Sequence, residues 1–269
     1  MKHFGKVITF LLVFTAIFLW IFYPQREKWV QDLEELLLKG KKNHYIAEEF
    51  YKDGEFLRYG ASEHMVGVDV STHQGEIDWE QVADAGVEFA ILRAGYRGYS
   101  KGEMYEDDCF DYNYRKARKA GLKVGVYFFS QAINEEEALE EARYLCRLLE
   151  GKDPDLPVFY DWEYLEGRVP KVWELSVADL AVSFCEEVRR KGYEPGLYFN
   201  RDYGDNYLEL DKLQDYVIWL AEYSDVPKAS YHFHCLQYTD QGSVPGIQGG
   251  VDLDLLILEG SASSSKEGT

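Results

Sequence analysis

The sequence predicts an α/β fold: an irregular (β/α) barrel, preceded by an N-terminal transmembrane helix and a short helical stalk. Three observations carry that expectation. Eight short apolar, β-prone runs recur between residues 66 and 257. Most are continuous rather than alternating, as strands buried on both faces are. Amphipathic helical stretches separate the runs of the first half. The second half is too short for a full helix between every pair of runs, so irregularity is expected there.

The N-terminal segment is read first. Lys2 and Lys6 precede Val7–Tyr23, an uncharged apolar run containing Leu11, Leu12, Phe14, Ile17 and Phe18. Its length sits at the short limit for crossing a bilayer. The run closes on Trp20, Phe22, Tyr23 and Pro24, not on the small residues of a cleavage site. Aromatic residues at that point resemble a membrane-interface belt. Residues 1–6 are therefore expected in the cytoplasm and residues 7–23 in the lipid bilayer as a single-pass anchor. The rest of the chain would lie outside the cell membrane; the alternative is a cleaved signal segment and a secreted product. Residues 24–65 are expected to form a stalk or linker. Gln25–Lys41 carries helical periodicity through Trp29, Leu33, Leu36 and Leu37, whereas Lys42–His64 reads either as a connector or as a segment packed on the main domain.

Residues 66–260 form the predicted main domain. Its runs are Val66–Val70, Phe89–Ala94, Lys123–Phe129, Pro157–Asp161, Pro195–Phe199, Val217–Ala221, Phe233–Tyr238 and Val251–Ile257. Helices are expected at Trp79–Ala85, Phe110–Ala120, Glu135–Glu150 and Ser176–Lys191. Asn134 and Ser176 stand where N-caps are wanted. Gly86, Gly121, Gly151 and Gly192 stand where helices would end on a left-handed residue. Residues 261–269 read as a disordered tail.

Composition narrows the partners. A net charge of −19 argues against nucleic acid, whose binding needs Lys and Arg against phosphates. Cys109, Cys146, Cys185 and Cys235 show no metal-ligand spacing, and their disulfide pairing cannot be read from the sequence. The histidines are scattered. No cofactor or metal is expected, and a monomer is.

The chemistry concentrates in V-F-Y-D-W-E-Y, Val158–Tyr164. On a strand Asp161 and Glu163 would point to one face, roughly 6.5–7 Å apart by the strand rise, with Trp162 pointing the other way. Two carboxyls on one face at the end of a core strand suit the cleavage of a glycosidic bond. In a (β/α) barrel, functional residues gather where the strands end. Asp69 closes the first run and Asp252 sits in the last. First and last strands are neighbours in a closed barrel, so these two acids should meet across the seam.

Several ordered blocks carry a resemblance. They are G-V-D-V-S-T-H-Q-G-E-I-D-W (Gly67–Trp79), F-A-I-L-R-A-G-Y (Phe89–Tyr96), F-Y-D-W-E (Phe159–Glu163), W-L-A-E-Y (Trp219–Tyr223) and Q-Y-T-D-Q-G-S-V-P-G-I-Q-G-G-V-D-L-D (Gln237–Asp254). Together with Asp107–Asn113 and Ala120–Ala132, they resemble the glycoside hydrolase family 25 lysozymes, the Chalaropsis-type N-acetylmuramidases, over residues 66–260. The resemblance implies a flattened, TIM-like barrel acting on the glycan strands of peptidoglycan. It implies hydrolysis of the β-1,4 bond between N-acetylmuramic acid and N-acetylglucosamine. Glu163 matches the general acid/base, Asp161 its partner carboxylate, and Asp69 and Asp252 the remaining active-site acids. Arg93 stands where many members carry Lys, and Asp254 where Asn is common.

A general acid must be protonated near neutral pH, so burial and Asp161 should raise the pKa of Glu163 while Asp161 stays ionised. Asp161 would attack the anomeric carbon, or would orient the 2-acetamido group of the substrate as the nucleophile. Both routes retain configuration, and the D-x-E on one strand resembles the arrangement in substrate-assisted chitinases, which favours the second. Tyr127, Phe129, Tyr160, Tyr198, Trp219, Tyr223 and Gln237 are the candidate substrate contacts. The alternatives are a non-catalytic wall-binding module and a chitinase-like hydrolase of N-acetylglucosamine polymers.

Overall fold

The structure is a computed structural model of the 269-residue chain, and it describes residues 42–171 and 174–258. The expected anchor at 7–23, the helical stalk and the tail at 261–269 lie outside the described residues. Among the described residues no helix is long and apolar enough to cross a membrane.

Eleven strands are present among the described residues: β1 (Phe50–Asp53), β2 (Phe56–Tyr59), β3 (His64–Val70), β4 (Phe89–Arg97), β5 (Met104–Glu106), β6 (Lys123–Ser130), β7 (Val158–Trp162), β8 (Pro195–Asn200), β9 (Val217–Ala221), β10 (Cys235–Gly242) and β11 (Val251–Ile257). The helices are α1 (Trp79–Asp84), α2 (Phe110–Lys119), α3 (Glu135–Leu148), α4 (Val177–Arg190) and α5 (Arg201–Asn206). Eight strands close a barrel in the order β3-β4-β6-β7-β8-β9-β10-β11, and β11 pairs back onto β3. All eight coincide with the apolar runs of the sequence.

The helices start and stop where local chemistry dictates. Asn134 accepts from the backbone N–H of Glu137 at 2.9 Å, and Ser176 from that of Asp179 at 3.3 Å. Each satisfies one of the donors that a helix N-terminus leaves without a partner. After α2 and α4 the chain turns at Gly121 and Gly192, with φ of 90° and 93°, a conformation that costs an L side chain dearly.

The parallel sense breaks at one strand. β3, β4 and β6–β10 run parallel to one another around the barrel, but β11 runs antiparallel to both β10 and β3. Its N-terminal end therefore lies beside the C-terminal ends of the others, which puts Asp252 directly opposite Asp69 in the register. The two acids meet across the seam, through a reversal of the last strand that the continuous-run pattern did not indicate.

Alternation along the strands sorts side chains to two sides. Val124, Val126 and Phe128 of β6 face the helices, as do Val158 and Tyr160 of β7. Tyr127, Phe159, Trp219 and Cys235 instead fill the barrel interior with Met65, Phe89 and Ile91. Trp219 is the hub of this inner plug, with ring centroids 4.7 Å from Tyr198, 5.3 Å from Phe159 and 5.9 Å from Tyr127. All four cysteines are free thiols, three of them buried.

The segment before β3 packs on the domain instead of acting as a linker. Tyr45 donates its hydroxyl to the Phe233 carbonyl at 2.6 Å, and the Leu57 N–H bonds the Tyr238 hydroxyl at 3.1 Å. The β1–β2 hairpin sends Phe50, Phe56, Leu57 and Tyr59 into the outer core. Through β2 the hairpin lays an apolar layer against β3 and β11.

Candidate active site

The barrel mouth is built by inward-facing residues at the strand ends. Asp69, Asp161 and Asp252 line one cavity of about 240 Å³ together with Glu163, the first residue past β7. Tyr127, Phe129, Tyr198, Trp219, Tyr223 and Gln237 line the same cavity. Tyr160 does not. Asp161 faces inward, so its neighbour Tyr160 must face outward; its hydroxyl meets Ser130 Oγ at 2.9 Å and its ring packs on Phe184. Tyr160 is thus a core residue and not a substrate contact.

Hydrogen bonds fix part of this mouth. The Tyr198 hydroxyl meets Gln237 Oε1 at 3.1 Å and also contacts Glu163. Gln237 Nε2 donates to Asp69 Oδ2 at 2.8 Å. Gln131 Nε2 donates to the backbone carbonyl of Glu163 at 2.6 Å and so anchors the chain just past the strand. Asp161 Oδ1 is buried and has no donor among the described residues.

The acids titrate far from their ordinary range because the site is dry and crowded. Burial, then repulsion from Glu163, holds the Asp161 carboxyl well above the usual carboxylate range, with Arg93 opposing. Burial raises Glu163 too, against the hydrogen bond with Tyr198. Asp252 is pushed up to about 6, first by burial and then by Asp240 and Glu163. Asp161 is the deeper of the pair, and repulsion between the two carboxyls in a dry site favours a proton held on the pair over two charges.

Arg93, His73 and Gln74 are among the residues at the mouth that were not picked out as site residues from the sequence. Arg93 lines the cavity and forms an ion pair with Asp107 at 2.8 Å. His73 and Gln74 border it from the turn after β3. Asp254 lies deeper, fully buried, where it accepts from the Trp219 indole N–H at 2.8 Å. Its signal was present in D-L-D, since Asp252 and Asp254 share a strand face. Among the described residues no group of His, Cys, Asp or Glu side chains is arranged to hold a metal ion.

Comparison with known proteins finds relatives that share this fold. The autolytic lysozyme of Clostridium acetobutylicum is 29% identical over 192 residues, which covers 71% of this chain and 55% of that protein. The modular autolysin LytC of Streptococcus pneumoniae, solved with a synthetic peptidoglycan ligand, superposes with a TM-score of 0.62 at 27% identity; the match covers 72% of this chain and 46% of that one. A family 25 glycosyl hydrolase from Bacillus anthracis shares the fold with a TM-score of 0.62 at 22% identity, over 77% of this chain and 94% of that one. The chain spans about half the length of the first two of these relatives. Residues 68–247 match the model of the glycosyl hydrolases family 25, and the chain belongs to that family.

Proposed function

We propose that the chain hydrolyses the β-1,4 bond between N-acetylmuramic acid and N-acetylglucosamine in peptidoglycan, with retention of configuration. The observation that carries this reading is the pair Asp161 and Glu163 at the mouth, crowded, desolvated and able to hold one proton between them. Glu163, the more exposed of the two, gives that proton to the glycosidic oxygen. The carbonyl oxygen of the 2-acetamido group attacks the anomeric carbon as the bond to the leaving sugar breaks. Asp161 Oδ1, buried with no donor among the described residues, accepts the acetamido N–H, and that open acceptor favours the substrate-assisted route over direct attack. Water then opens the cyclic intermediate, deprotonated by the Glu163 carboxylate, and the pair is restored.

Asp69 and Asp252 hold charge and hydrogen bonds around the reacting sugar, while Tyr127, Phe129, Tyr198, Trp219, Tyr223 and Gln237 shape the cavity that receives it. In the same reading residues 7–23 tether a monomeric chain to the membrane, with the barrel facing the wall. The lysozymes and the peptidoglycan-bound autolysin among the relatives support the substrate class.

Digestion of purified peptidoglycan with reducing-end analysis tests the proposal. The new reducing end should be N-acetylmuramic acid. An N-acetylglucosamine end, or equal release by Glu163→Gln, would overturn it. Cleavage of chitin polymers in preference would favour a chitinase-like enzyme.

A further inference from the structure

Four carboxyls line the mouth of the barrel, and among the described residues lining it Arg93 is the one permanent cation. Strand alternation puts it there. Phe89 and Ile91 of β4 fill the barrel interior, so Arg93, two residues on, shares their face and stands one step nearer the mouth. Just past it the pairing of β4 with β6 shifts register, between Arg93 and Gly95. Irregularities of this kind re-aim side chains beside functional sites.

Asp107, in the loop between β5 and α2, holds the guanidinium. Its Oδ2 accepts from Arg93 Nε at 2.8 Å and lies 2.8 Å from Nη2. The same oxygen accepts the Thr72 N–H at 3.0 Å, and Oδ1 accepts the Cys109 N–H at 3.0 Å. The Asp107 N–H in turn bonds the Ala94 carbonyl at 3.0 Å. The Tyr96 ring centre lies 5.2 Å from the guanidinium carbon. A guanidinium without these partners would close directly onto a carboxyl of the mouth, the geometry its planar donors favour. Asp107 takes two of those donors instead. The charge thus stays in the site while Asp161 Oδ1 is left without a donor among the described residues.

That charge does not act equally on the two members of the pair. Burial and then Glu163 raise Asp161, and Arg93 opposes the rise; burial raises Glu163, and there the Tyr198 hydroxyl opposes. The Arg93 side chain is only 12% exposed, so solvent screens its charge weakly. We propose that Arg93, held by Asp107, is a positioning residue of the site: its charge makes Asp161 the anionic member of the pair and leaves the shared proton on Glu163. The inference rests on the hydrolase reading for its effect on rate, whereas the place of the proton is a property of the unliganded protein. The other ionisable groups around the pair are Asp69 and Asp252 from β3 and β11, Tyr127 and Tyr198 from β6 and β8, and His73 and Tyr223. Arg97, Lys101 and Glu103 border the neighbouring cavity that Arg93 also lines. The test leaves all of these in place.

NMR titration of the full-length chain with isotope-labelled Asp and Glu carboxyls reads the pair directly, with Asp161→Asn and Glu163→Gln assigning the two signals. Asp161 should lose its proton at lower pH than Glu163. Arg93→Met combined with Asp107→Asn removes both charges and strands neither. It should raise the Asp161 step by about one pH unit and the Glu163 step by less. On peptidoglycan the acid limb of kcat/KM should rise with it and the plateau should fall about tenfold, as the proton moves onto Asp161. Arg93→Lys keeps a charge and should return the limb to its original place. Glu163 ionising first in the unsubstituted chain would overturn the proposal, and so would an Asp161 step indifferent to the double variant. A lower plateau with the limb unmoved, or a limb that Lys does not restore, would leave Arg93 a structural role alone and sink it equally. The two readings fail separately. A displaced Asp161 step in a chain that cuts no peptidoglycan defeats the hydrolase reading only, and cleavage with an unmoved step defeats the role of Arg93 only.

Discussion

Inside the barrel the Trp219 indole N–H donates to Asp254 Oδ1 at 2.8 Å, while Oδ2 of the same carboxyl is buried on the Asp69 side with no donor among the described residues. Two desolvated carboxyls in contact cannot both be ionised cheaply. A proton held between them satisfies both. Burial pushes Asp254 up to about 8, the Trp219 hydrogen bond opposing, while burial and then Asp254 and Asp252 raise Asp69. Burial and crowding therefore favour a proton on the carboxyls at the floor of the site.

The first prediction follows from that proton. The unfolded carboxyl titrates near 3.8 and the folded one near 8, so between those values the folded chain binds more protons at this position. Its contribution to stability is therefore complete at low pH and lost as pH rises through the window. Asp254→Asn keeps an oxygen for Trp219 and offers an N–H to Asp69 without a titrating proton. Compared with the wild type, it should gain at pH 9 relative to pH 5 by at least about 1 kcal/mol, or about 2–4 °C in Tm. Thermal unfolding at both pH values measures this, and parallel curves for the two proteins would refute the shared proton.

The second prediction concerns the acid/base pair. Glu163→Gln keeps the shape of the side chain and removes its proton, so wall hydrolysis should fall by a factor of about a thousand or more with unfolding unchanged. Tyr198→Phe acts more subtly. The tyrosine hydroxyl opposes the rise of Glu163, so its loss lets Glu163 keep its proton to higher pH. The alkaline limb of the kcat/KM profile should move up, and a limb that stays or moves down would remove Tyr198 from this role.

A third prediction separates core from cavity. Tyr160→Phe loses a bond to Ser130 inside the outer core, worth about 0.5–1.5 kcal/mol, and should leave KM for peptidoglycan as it was. Trp219→Phe removes the one donor to Asp254 Oδ1 found among the described residues and thins the inner plug. It should cost about 2–4 kcal/mol from an unsatisfied buried group plus lost packing. Urea titration of both variants checks the order.

These residues also show which parts of the architecture can be read from sequence. The eight barrel strands were legible because apolar runs are what a strand buried on both faces requires, and the meeting of Asp69 with Asp252 followed from closure. The reversal of β11 was not read, although Ser243–Gly250 is shorter than a parallel crossover needs. The β1–β2 hairpin was missed despite Asp53-Gly54, a strong turn signal between two aromatic runs. Tyr160 was assigned to the wrong side, yet strand alternation with Asp161 already excluded it from the mouth. Arg93 and Asp254 stood out as departures from the family pattern, but their depth in the barrel is a matter of three-dimensional placement that local spacing does not express.

The last prediction concerns the turn between β4 and β5, where Arg97 donates to the Gly102 carbonyl at 2.8 Å. Arg97 and Glu141 form a buried ion pair at 2.6 Å, with Ser130 Oγ on the other carboxylate oxygen, also at 2.6 Å. Burial raises Glu141 to about 7 in spite of Ser130 and Arg97, so the pair is costly to maintain and worse to break. Arg97→Met would strand Glu141 in the core and cost about 3–5 kcal/mol, or force it to take up a proton. Arg97→Met with Glu141→Leu removes both charges and should recover most of that loss. The double variant still lacks the guanidinium that ties the Gly102 carbonyl to α3, so its turn should loosen while the core holds. Hydrogen exchange of the Gly98 and Gly102 amides reads the turn and chemical unfolding reads the core. Recovery of stability without faster exchange at the turn would show that Arg97 serves the core alone.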